Sequence, residues 1–140
     1  MSEYLIKIKG IQGLNDNTDT VELSTLGSME FSDTQITLCY KDGEMLGVAG
    51  TVTTLKIRGE SSAVMERTGE MASRLVIEKG KRNSCFYHTP FGDLTIGIFG
   101  ERIENRLSED GGTLILSYNI DSNLQTVSKN TVEIEVRKAK

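Results

Sequence analysis

At 140 residues the chain is sized for a single domain, taken as 1–140. Sixteen Lys and Arg against twenty Asp and Glu leave a net charge of −4. That is the wrong sign for a nucleic-acid partner, whose phosphates favour a basic surface. No apolar run approaches the roughly 20 residues that a bilayer helix needs, and the opening Met1-Ser2-Glu3-Tyr4-Leu5-Ile6-Lys7 has no leader-like apolar stretch. The expectation is a cytoplasmic protein with no membrane partner.

Composition then favours strands. Val, Ile and Thr supply 34 residues and Ala only 4; β-branched side chains lose rotamer freedom on a helix and pack well on a pleated sheet. In chain order, Tyr4, Ile6 and Ile8 alternate with Lys7 and Lys9, a period of two. Asn15-Asp16-Asn17 is a turn signal. Val21, Leu23 and Thr25 make the next strand, with Gly27 as a bend or bulge before Met29 and Phe31. Ser32-Asp33 turns into Ile36, Leu38 and Tyr40, residues 43–50 form a glycine-punctuated connection, and Thr51 to Arg58 is again a strand.

Residues 61–79 admit two readings. Val64, Met71, Leu75 and Val76 can share a helical face behind Ser61 or Ser62 as cap. Gly69 and the polar run Glu66 to Glu70 favour a hairpin instead, with strands at 63–69 and 73–79. Beyond Gly80 the alternation is clean: Cys85 and Tyr87, then Leu94, Ile96 and Ile98, then Ile103, Asn105 and Leu107. Asp110-Gly111-Gly112 is a hairpin signal. Leu114, Leu116, Tyr118 and Ile120 follow, and Val132, Ile134 and Val136 form the last strand. Roughly ten short-turned strands with one shared interior predict an all-β sandwich or an up-and-down barrel.

The segments Gly50-Thr51-Val52-Thr53-Thr54-Leu55-Lys56-Ile57, Glu66-Arg67-Thr68-Gly69-Glu70, Glu78-Lys79-Gly80-Lys81, Tyr87-His88-Thr89-Pro90-Phe91-Gly92 and Asn130-Thr131-Val132-Glu133-Ile134 carry a resemblance. Together they resemble the YwiB-like family of uncharacterised bacterial proteins, over nearly the whole chain and in the same order. The resemblance implies a bacterial source and an antiparallel calycin-like, lipocalin-type β-barrel of roughly 8–10 strands. It also implies the hairpin at 61–79. It supplies no reaction, and it counts against His88 as a shared catalytic group.

The residues themselves offer little catalytic chemistry. One His and two Cys, Cys39 and Cys85, lack the paired spacing of a zinc site, so no metal and no cofactor is expected. Cys85 and His88 fall on opposite faces of one strand, and neither a nucleophile elbow nor a phosphate loop is present. Arg67 is more informative. It shares strand parity with the inward Met65, and an inward guanidinium must meet an acid, carbonyls or a bound anion, since it cannot discharge. Thr51, Thr53 and Thr54, with Tyr87 and Tyr118, can add hydroxyls to the same interior. With 4 Phe, 4 Tyr and no Trp, large fillers are few, and a barrel of this size can hold a small ligand.

Arg67, Thr51, Thr53, Tyr87 and Tyr118 are therefore the candidate ligand-binding residues. The expected function is non-enzymatic binding of a small anionic or amphiphilic molecule in or at the mouth of the barrel. The alternative is an interaction module, or a homodimer, that uses a sheet face or edge; an enzyme with a weakly marked site is the third reading.

A thiol count checks the expected reducing compartment. Titration of the denatured, non-reduced protein is expected to find two free thiols, and none would contradict it.

Overall fold

In the computed structural model the described residues are 3–14, 17–41, 51–68, 72–89, 92–122 and 125–139, with backbone alone at 14, 87–89, 93 and 94. The period-two segments become ten strands among these residues. They are β1 (Tyr4–Leu14), β2 (Asn17–Phe31), β3 (Ile36–Lys41), β4 (Val52–Arg58), β5 (Ser62–Thr68), β6 (Ser73–Glu78), β7 (Arg82–Thr89), β8 (Gly92–Ser108), β9 (Gly111–Ser122) and β10 (Gln125–Lys138). The hairpin reading of 61–79 is the observed one. The glycine-rich connection at 43–50 lies outside the described residues, as does the turn between β5 and β6.

Each strand runs antiparallel to its sequence neighbours, and β1 pairs with β10 to close the ring. The weak seam is β6–β7, which share a single registered pair, Ser73 with Tyr87. Side chains hold the rest of that seam. The Val76 N–H donates to Cys85 Sγ at 3.4 Å, and Asn83 Nδ2 donates to Glu78 Oε1 at 3.1 Å. The β6–β7 turn also docks on β8: the Gly80 N–H donates to Gly100 O at 2.8 Å, and the Gly100 N–H to Lys81 O at 3.2 Å. A side chain at 100 would run into the Glu78 carbonyl, so glycine is what permits this approach.

Inward positions follow parity, even in β1, β3, β9 and β10 and odd in β2 and β4 to β7. β8 needs both parities, because Ile98 and Ile103 are both buried. A register shift between Gly100 and Arg102 supplies the change, and a second shift sits between Thr126 and Ser128. Of the bend or bulge expected at Gly27, there is no bulge: β2 pairs with β1 up to Gly27 and with β3 from Gly27 onward, without a register shift. Gly27 serves close packing, since an added Cβ would meet Cys39 O and Ile6 Cδ1.

The half of the interior around Ile6, Leu38, Leu55, Ile57, Ile77 and Leu114 is solid, with each of these side chains fully buried. At that end Tyr4 Oη donates to Glu109 O at 2.8 Å, joining β1 to the β8–β9 turn. Both cysteines are free, Cys39 half-buried and Cys85 buried. No described helix is long and apolar enough to cross a membrane, and no described cluster of His, Cys, Asp and Glu could hold a metal ion.

On the outer surface one ion pair spans three strands. Arg82 on β7 donates from Nε to Asp121 Oδ2 at 2.9 Å, and from a terminal nitrogen to Oδ1 at 2.7 Å. It reaches β9 by lying over Gly97 of β8, where a Cβ would collide with the guanidinium. Asp121 is 8% exposed, and its carboxylate raises the already high pKa of Arg82 through the hydrogen bond. Arg82→Met and Gly97→Ala are both expected to lower the urea midpoint. Because they break the same clasp, the double variant should fall short of the sum of the two. Additive losses in such a cycle would show that the clasp is not the shared cause.

Candidate functional site

The other half of the barrel is a cup. Side chains from eight strands surround a cavity of about 420 Å³ that opens at one end. Its middle is apolar, with Ile8, Met65, Leu75, Ile96, Ile120 and Val132 among the lining. Gly10, inward on β1 between its register partners Val21 and Val132, also lines it and contributes no side chain to fill it. Val21 and Val127 are 44% and 50% exposed and line the same cavity, giving it an apolar lip.

Arg67 stands on the wall beside Met65, as parity requires, and both residues line the cavity. Its Nε–H donates to Thr53 Oγ1 at 3.3 Å. The register explains the meeting: Tyr40, Thr53, Arg67 and Ser73 are successive cross-strand partners on β3, β4, β5 and β6. They form one polar row on the inner wall. Thr53 is fully buried and Tyr40 is 4% exposed. Ser73 Oγ is buried and has no hydrogen-bond partner among the described residues, which is unusual for a buried hydroxyl and calls for a cause.

The sequence-predicted residues divide accordingly. Arg67 and Thr53 meet, and Tyr118 (6% exposed) lines the cavity from β9. Thr51 is fully buried just before β4, and neither it nor Thr53 is part of the described lining. Thr54 lies on the opposite face, where its hydroxyl donates to Cys39 Sγ at 3.8 Å. The side chain of Tyr87 lies outside the described residues. Sequence reasoning missed Ser73, whose signal is its register with Arg67 across the β5–β6 hairpin. It also missed Ser128 and Asn130 on β10, where Asn130 Nδ2 donates to Ser128 Oγ at 3.0 Å at the cavity wall.

The cup makes a prediction that needs no ligand. Gly10 is outside the positive-φ glycines, so a larger residue there meets no backbone penalty. Gly10→Leu is expected to leave the urea midpoint unchanged or raise it, because position 10 lines the cavity. A loss of about 1–3 kcal/mol, the usual cost of overpacking, would mean that the interior is already full at this level.

Comparison with known proteins agrees with this architecture. A crystal structure of the ywiB protein from Bacillus subtilis superposes with a TM-score of 0.81 at 18% sequence identity, covering 99% of this chain and 93% of that one. At that identity the likeness concerns the fold. No curated protein matches the chain. The family described as "Domain of unknown function (DUF1934)" matches residues 6–134, nearly the full length. The chain thus belongs to the DUF1934 family of uncharacterised β-barrel proteins.

Proposed function

We propose that this barrel is a binding protein for a small amphiphile with an anionic head, held in the open cup. The observation that carries the reading is Arg67, a permanent cation on the wall of a mostly apolar cavity of about 420 Å³, its Nε–H directed to Thr53. A guanidinium stays charged, and its planar fork suits a carboxylate. The apolar middle of the cup gains from a hydrocarbon chain, at about 25 cal/mol per Å² of apolar surface removed from water. The buried Ser73 hydroxyl, in register with Arg67 and behind the described lining, is the nearest further donor on that wall.

The interaction-module reading has less support. Of the large hydrophobic residues exposed among the described residues, Val21 and Val127 belong to the lip of the cup, and the other four are spread over β2, β7 and β8.

Native mass spectrometry of the protein purified from its own host, and calorimetric titration with octanoate, test the reading. Octanoate is expected to bind, with Arg67→Met weakening it at least tenfold. Ser73→Ala is expected to weaken octanoate without loss of stability, since the hydroxyl it removes has no partner among the described residues. A stability loss of roughly 3–5 kcal/mol in Arg67→Met would mark a structural pair instead. Undiminished octanoate binding in that variant would remove Arg67 from the site.

A further inference from the structure

The charges around the cup go beyond a simple anion site. Among its described lining residues there is one cation, Arg67, and one anion, Asp19. They do not share a wall. Arg67 is on β5, while Asp19 is on β2, in register with Gln12 of β1, which also lines the cavity. Next around the ring comes β10, with Ser128 and Asn130 on its inner face. β10 is five strands from β5 in a ring of ten and so stands opposite Arg67. The arc β10–β1–β2 thus carries a carboxylate and neutral amide and hydroxyl groups, and β4–β5 carries the guanidinium. The apolar side chains Leu75, Ile96 and Ile120 lie between the two arcs, and Met65 and Val132 stand on the arcs themselves, one inward position deeper than Arg67 and Asn130.

From this we infer that the ligand is two-ended: a carboxylate at Arg67, a slender apolar middle, and an ammonium group at the Asp19 side. The inference rests on the cup reading above and adds the second end. Asp19 and Gln12 are solvent-exposed at the mouth, so a chain that ends in a methyl group gains nothing from them, whereas an ammonium end gains a charge-assisted hydrogen bond to the carboxylate. Orientation follows as well, because the reversed molecule would set like charges together at both ends. Size agrees with a medium-length chain. Ten strands about 4.8 Å apart and tilted by about 40° enclose a ring roughly 20 Å across between backbones. The side chains of both walls shorten the span open to the ligand to roughly half of that.

Titration calorimetry with octanoate, octylamine and ω-aminooctanoate on the full chain tests this. The wild type is expected to bind ω-aminooctanoate about tenfold more tightly than octanoate, and octylamine more weakly than either. Asp19→Asn should collapse the preference for the amino compound to near unity, and Arg67→Met should weaken both carboxylates. Equal affinity for octanoate and ω-aminooctanoate, or a preference that survives in Asp19→Asn, overturns the second end. If octanoate binding still depends on Arg67, the cup reading survives that result. Failure of both carboxylates to bind removes the two readings together.

Discussion

Closing a sheet on itself fixes how much space its side chains must fill. A ring of ten strands is wider than the eight-stranded barrels whose interior side chains just meet, and this chain brings only eight aromatic residues and no Trp to the task. It fills one end with Ile and Leu. The wall at the other end carries Gly10 and Ser128 beside larger residues. The cup follows from strand number and side-chain volume together. The same closure removes sheet edges, so backbone donors and acceptors are paired around nearly the whole ring.

The exception is the β6–β7 seam, and the structure compensates for it with several devices. A thiol accepts the Val76 N–H where a carbonyl would ordinarily do so, Asn83 bridges to Glu78, and the turn between these strands lies down on Gly100. The bulge follows directly after Gly100 and returns β8 to a parity that buries Ile103. Outside, the Arg82 side chain passes over Gly97 to Asp121 and ties β7 to β9 across β8. Two glycines on one strand therefore serve the same end: each omits a side chain so that a neighbouring element can cross closely.

Most of the fold was legible because one buried face imposes period two. Arg67 was placed by parity with Met65, and that was enough to put it on the cavity wall, beside its acceptor Thr53. Ser73 was not legible, because its partnership with Arg67 depends on the register of a hairpin that the sequence left open against a helix. The Arg82–Asp121 clasp needs the registers of three strands at once, and 39 residues separate its ends. Asp19 was hidden for a different reason. It sits among polar neighbours at the start of β2, where alternation gives no signal, and only the ring shows that its face turns toward the cup. Gly27 was legible only in part, since glycine in a strand can mark a bend, a bulge or a close contact, and here there is a close contact and no bulge.

The pairing of β1 with β10 differs from every other in the ring. Nine contacts join strands adjacent in sequence, and each hairpin can form as soon as its two strands exist. The tenth joins Tyr4 to Lys138 and runs in register through ten residue pairs. Its loop-closure entropy is the largest in the molecule, and its contacts raise the contact order of an otherwise local topology. During synthesis β1 and β2 must wait as an incomplete sheet with an open edge until β10 leaves the ribosome. The alternating Lys7 and Lys9 on that edge, later opposite Glu135 and Glu133, are suited to keeping two such unfinished chains from pairing with each other.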